Sequence, residues 1–223
     1  ETGGLYLGGD PNIPLVRNCL IKANKAVLDG GGVVSYWYAT PKIVNCTIVD
    51  NVAYDPHDPH NGRGGGLSCS YQSNTLLIDS ILWGNSGQNG NQIAIGSDLK
   101  PDQVDRPATL TVSHCDVQGG RDDVYYKPGR ILNWLEGNMD QDPLFVLPFY
   151  YLSQTDAGEG ADSPCVDAGS DTVENVVMHE HSTRSDGEPD TGIVDMGLHY
   201  PQRNGPVSPY RQRSGNARCG IAA

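Results

Sequence analysis

Asn45-Cys46-Thr47-Ile48-Val49-Asp50-Asn51 is one of four versions of a single phrase. Asn18-Cys19-Leu20-Ile21-Lys22-Ala23-Asn24 and Asp79-Ser80-Ile81-Leu82-Trp83-Gly84-Asn85 repeat it, and His114-Cys115-Asp116-Val117-Gln118-Gly119-Gly120 is a weaker copy. Each full copy reads polar, small, apolar, apolar, two variable residues, then Asn. The copies start at 18, 45, 79 and 114, so they are 27, 34 and 35 residues apart. Glycine pairs recur with them, at Gly3-Gly4, Gly31-Gly32 and Gly65-Gly66, each opening an alternating run. Repeats of this length mark a solenoid. The units carry no apolar stripe of helical period and length, and 28 Gly and 15 Pro punctuate the chain. The best helical candidate is one turn near Thr172 to Val177. The sequence therefore predicts an all-β chain, a parallel β-helix of about four coils. A β-sandwich has no reason to repeat a seven-residue phrase at coil-length spacing.

In a parallel β-helix, successive coils pair in register about 4.8 Å apart, so equivalent residues stack on themselves. Cys19, Cys46, Ser80 and Cys115 are then expected to form an inward column. Ile21, Ile48 and Leu82 should face the core or an adjoining sheet. Asn24, Asn51 and Asn85 should end strands at a left-handed bend, each amide bonding to the next coil. The glycine pairs suit a second bend with positive φ.

These phrases resemble the repeats of the right-handed parallel β-helix proteins of the pectin-lyase-like superfamily. The chain is similar, more narrowly, to the C-terminal part of large secreted surface proteins of environmental bacteria. Leu132-Asn133-Trp134, Asp142-Pro143-Leu144-Phe145-Val146, Ser163-Pro164-Cys165-Val166-Asp167-Ala168-Gly169 and the run Thr191 to Tyr200 carry the resemblance to their closing segment. It covers residues 1 to 201 and implies the fold; architecture alone does not imply an activity. Such relatives have more coils upstream, and this chain opens in mid-coil, as a processed or truncated piece would. The division expected is coils over 1–120, a closing segment over 121–201 and a tail over 202–223. The closing segment should cover the C-terminal end or pack on a flank, whereas the N-terminal end has no evident cap.

Net charge is −12, with an isoelectric point near 4.7. That disfavours nucleic acid and anionic lipid as partners. No apolar stretch reaches membrane-spanning length, so membrane insertion is not expected. The six cysteines show no zinc spacing. Cys19 and Cys46 would be stacked neighbours able to bridge or merely pack. A Cys165–Cys219 bridge would pin the tail to the closing segment in an oxidising setting.

Candidate ligand chemistry lies in four places. Tyr36, Trp37, Tyr38 and Tyr71 fall on neighbouring coils, where outward rings would stack on sugars. Asp186, Glu188 and Asp190, with Asp195 beyond them, form an acidic glycine-bearing loop suited to Ca²⁺; ordinary Asp–Gly turn chemistry is the simpler reading. His57 and His60 lie in an Asp- and Pro-rich insertion that would hold a divalent metal or simply loop out to solvent. For hydrolytic chemistry, Asp116, Asp122 and Asp123 are the nearest approach to a carboxylate cluster, without a defensible acid–base pair.

The expectation is a non-catalytic extracellular or cell-surface module with a structural or adhesive role. Its partners would be surface glycans or other copies of itself, joined head to tail into filaments. The alternative is a carbohydrate-binding module or a polysaccharide-active enzyme.

Overall fold

The structure, a computed structural model, describes residues 3–9, 13–96 and 107–202 and the backbone of 217–222. Four coils stack in order. The first holds β1 (Leu5–Gly8), β2 (Leu15–Lys22) and β3 (Lys25–Ala26). The second holds β4 (Val33–Tyr36), β5 (Lys42–Val44), β6 (Thr47–Val49) and β7 (Val52–Ala53). The third repeats this with β8 (Leu67–Cys69), β9 (Asn74–Ile78), β10 (Ile81–Trp83) and β11 (Ser86–Gly87). The fourth has β12 (Ile93–Ile95), β13 (Thr109–Ser113) and β14 (Asp116–Val117). Parallel pairing then continues past residue 120 through β15 (Tyr125–Tyr126), β16 (Ile131–Trp134) and a bridge from Asp116 to Met139. The chain is thus an all-β parallel solenoid of about four coils with two short 3₁₀ turns.

β2 runs through a corner. Its first half pairs with β5 and its second with β6, so two ladders meet on one strand. At that corner Asn18, Asn45, Asp79 and His114 all have positive φ, between 47° and 52°. The first residue of the repeated phrase is therefore the left-handed corner, and the phrase spacing is the coil length. The left-handed conformation expected of Asn24, Asn51 and Asn85 belongs instead to the residue before each, Ala23, Asp50 and Gly84.

The core is a set of stacked columns. Val16, Ile43, Leu77 and Val112 form one, and Ile21, Ile48, Leu82 and Val117 another. Cys19, Cys46, Ser80 and Cys115 are fully buried beside them, as the phrase predicts. The asparagines form an internal ladder. Asn24 Nδ2 donates to Asn51 Oδ1 at 2.9 Å, Asn51 Nδ2 to Asn85 Oδ1 at 2.9 Å, and Asn85 Nδ2 to Gln92 Oε1 at 2.7 Å. Each amide also serves a neighbouring backbone, Asn51 reaching the Ile21 carbonyl and Asn85 that of Ile48. The strand-poor bend is satisfied by side chains where no sheet supplies partners.

The glycine pairs are required for a different reason than positive φ, which falls on Gly30, Gly64 and Gly90 just before the paired positions. A Cβ on Gly31 would lie 2.5 Å from the Gly65 carbonyl oxygen, and one on Gly32 2.7 Å from that of Gly66. Adjacent coils approach too closely there for any side chain.

The closing segment lies lengthwise along the flank formed by β6, β10 and β14. It contains the antiparallel pairs β17 (Phe145–Val146) with β18 (Tyr151–Leu152), and β19 (His181–Ser182) with β20 (Tyr200–Pro201). Thr172 to Val177 makes one turn, closed by a bond from the Val176 N–H to the Thr172 carbonyl, and no longer helix. Ile81, Leu152, Cys165 and Met196 form the buried seam, with Trp83, Phe145 and Met139 packed against it. Leu132 and Trp134 pack on the main core at the far end of the coils. At the other end β21 (Ala217–Ala222) runs antiparallel along β2. The edge expected to be bare is thus covered on its longest strand.

Candidate functional site

The aromatic candidates converge on the corner that follows β4 and β8. Trp37 and Tyr38 have φ of 51° and 63°, and Tyr71 and Gln72 have φ of 52° and 59°. Two consecutive left-handed residues turn the chain on both coils. Bulky side chains enter that region at a cost, and such outliers concentrate at functional sites. The turn throws the rings onto the outer surface. Tyr36 lies 4.6 Å from Tyr71 and 6.1 Å from Trp37 between ring centroids, and Trp37 lies 5.8 Å from both Tyr38 and Tyr71. Tyr6, from the coil below, joins at 6.0 Å from Tyr36.

Five rings from three coils thus make one patch. Tyr6 is 51% exposed, Trp37 40% and Tyr38 37%, so the patch faces solvent. The Tyr36 hydroxyl is pushed up to about 12, first by burial and then by the neighbouring Tyr71. It stays protonated at neutral pH and keeps a donor at the patch. Sequence reasoning found four of the rings and missed Tyr6. The signal was its place in Gly3-Gly4-Leu5-Tyr6-Leu7, where alternation puts it outward. The matching corner of the fourth coil falls in 97–106, outside the described residues.

The acidic loop does not form the expected calcium cage. Asp186 is gripped by Arg184, with Nε at 3.0 Å and Nη2 at 2.6 Å, and the Glu188 backbone N–H also donates to it. Asp190 and Asp195 turn inward. The Asp190 carboxylate takes the Asp195 N–H at 2.9 Å and His199 Nε2 at 2.9 Å, while His199 Nδ1 faces the Gly197 carbonyl at 3.0 Å. Asp195 accepts from Thr183 and from the Asp167 N–H, and burial, then Asp190, pushes it up to about 6. These carboxylates bind the closing segment to itself.

His57 and His60 are exposed, and the carboxylates of Asp55 and Asp58 cap the insertion's own backbone and Asn61. Among the described residues no three His, Cys, Asp or Glu side chains converge as a metal site. Asp116 is fully buried, accepting from the Gln141 N–H and the Cys165 thiol, while Asp122 and Asp123 are exposed. The three do not form a hydrolytic cluster.

The cysteines also differ from expectation. Cys165 is a free thiol, so the Cys165–Cys219 bridge is absent; the side chain of Cys219 lies outside the described residues. Cys46 is likewise free, which rules out the Cys19–Cys46 bridge, and burial pushes its thiol up to about 12. Cys19 is disulfide-bonded. The backbone of Cys219 runs between the Arg17–Gly220 and Leu20–Arg218 pairings, alongside the bulge at Asn18 and Cys19.

Comparison with protein-family models, with curated proteins and with solved structures found no match. The solenoid and its surface chemistry therefore carry the functional argument.

Proposed function

We propose that this chain is a non-catalytic structural or adhesive module of a cell exterior that contacts surface glycans through the Tyr6–Tyr36–Trp37–Tyr38–Tyr71 corner. The observation that carries the reading is the exposure of Tyr6, Trp37 and Tyr38 on paired coils, backed by the half-buried Tyr36 and Tyr71. Apolar ring faces on a stiff scaffold stack on sugar C–H faces with little ordering cost. The resemblance of the repeats to pectin-lyase-like surface proteins belongs to the same reading. An extracellular setting is supported by the disulfide at Cys19, since such bonds persist in oxidising compartments.

The test is a panel of neutral and acidic oligosaccharides against the wild type and Trp37→Ala. Trp37 packs against Tyr36, Tyr38 and Tyr71, so its loss should cost about 1 kcal/mol, which a melting curve separates from a loss of binding. Affinity for a bound glycan should fall about tenfold or more. A variant that binds as well as the wild type, or a wild type that binds none of the panel, would overturn the reading.

Self-assembly is the second reading, favoured by one observation. Among the described residues, β1 and β3 have no strand on their N-terminal sides. Because β21 occupies β2, a head-to-tail contact through the longest ladder requires β21 to leave. Deleting residues 202–223 should therefore promote fibres visible by electron microscopy. Monomers at every concentration, with and without the tail, would exclude this route.

A further inference from the structure

A hollow lies where the closing segment meets β6 and β10. It measures about 260 Å³ and is lined by Val49, Asp50, Trp83, Asp142, Phe145 and Tyr150, with Leu147 at its mouth. Phe145 and Tyr150 stand nearly perpendicular, 78° apart, with centroids at 5.2 Å. The Tyr150 hydroxyl donates to Asp50 Oδ2 at 2.6 Å. Asp142 Oδ1 takes the Leu144 N–H at 2.9 Å. The polar side-chain groups of the lining are thus two carboxylates, a phenol whose proton is already committed and the Trp83 indole N–H. No side chain in the lining carries a positive charge.

We propose that this hollow binds an organic ammonium ion, such as a choline-type headgroup or a lysine-type side chain. Three rings, Trp83, Phe145 and Tyr150, line the hollow and supply negative quadrupoles, and two carboxylates add charge of the same sign. A neutral sugar would look for several donors as well as acceptors, and apart from the Trp83 indole N–H the lining's polar side chains are acceptors or already committed. The molecule itself shows what the rings attract. Lys22 Nζ, outside the lining, sits 5.0 Å from the Tyr150 centroid. Its charge at the edge of the site opposes a second cation, so the site works against one built-in competitor.

Isothermal titration of the full chain tests this with four probes: choline chloride, Nα-acetyl-lysinamide, the uncharged choline isostere 3,3-dimethyl-1-butanol, and sodium acetate. Choline or the lysine probe should bind saturably, and whichever binds tighter identifies the source. The uncharged isostere should be weaker by about tenfold or more, and acetate should give no heat of binding. Asp142→Asn, at an exposed position, should weaken the cation severalfold without changing the melting temperature. Lys22→Met should strengthen it. Equal binding of the uncharged isostere, absence of binding by both cations, or a Lys22→Met variant that binds more weakly while still folded would overturn the proposal.

Discussion

The coils bury a far larger share of their residues than the closing segment does, and the two are built on opposite principles. In the coils side chains of similar character serve one position in coil after coil, and backbone pairing carries the register. In the closing segment no contact repeats. It docks through individual side-chain bonds, each with its own pair of partners, at every coil. Asn18 exchanges two bonds with the His199 backbone, at 2.7 and 2.8 Å. Asn45 donates to the Asp195 carbonyl at 3.3 Å, Asp79 receives the Ser170 N–H at 2.7 Å and its hydroxyl at 2.9 Å, and Asp116 receives Cys165 at 3.3 Å. In the first three coils the left-handed corner that ends one ladder thus aims a polar side chain at the flank, where the closing segment reads it; in the fourth the strand residue Asp116 takes that part. A stacked ladder spreads damage over neighbouring coils, whereas a one-off bond has no substitute.

The sharpest way to break this contrast is inside the ladder. Asn51 holds Asn24, Asn85 and the Ile21 carbonyl at once. Asn51→Leu leaves several buried backbone groups unpaired and should cost about 3 kcal/mol or more in denaturant unfolding. A cost below about 1 kcal/mol would mean that the ladder is dispensable.

The next effect is on pH. Burial pushes Asp116 up to about 7, and Asp195 to about 6. In the unfolded chain both would titrate near the ordinary carboxylate value. The folded state therefore binds more protons across the interval, so stability is fully present below about pH 4 as far as these groups are concerned and is lost as pH rises towards about 7. The loss should be a few kcal/mol and should centre on the closing segment. Asp116→Asn should flatten this slope and raise the melting temperature at pH 8 while barely moving it at pH 4. A melting temperature that rises with pH between 4 and 7 in the wild type would contradict the assignment.

The smallest effect is expected at the first corner. Asn18→Ala removes the paired amide bonds to His199, worth about 1–2 kcal/mol together. Amide exchange should quicken around 197–201 and stay unchanged in β9 and β13.

What could be read in the sequence follows the same division. The four phrases, the inward cysteine column and the asparagine ladder repeat, so each copy corroborates the others. The glycine pairs were visible too, although their cause is a close approach of coils that one strand cannot reveal. The corner role of Asn18, Asn45, Asp79 and His114 was hidden because a polar residue at a bend has many explanations. The acidic loop misled for the opposite reason: Asp186, Asp190 and Asp195 look alike in sequence, yet Arg184 takes the first and burial takes the other two. The hollow between Trp83, Phe145 and Tyr150 joins residues up to 101 positions apart, Val49 to Tyr150, and has no local signal.

Native-state hydrogen exchange at pH 5 and pH 8 tests the central claim most directly. Amides of β5, β6, β9, β10 and β13 should exchange only through global unfolding at both pH values. Those of 144–201 should show lower opening free energies, and the gap should widen at pH 8. One common opening free energy for coils and closing segment at both pH values would contradict the two-part account.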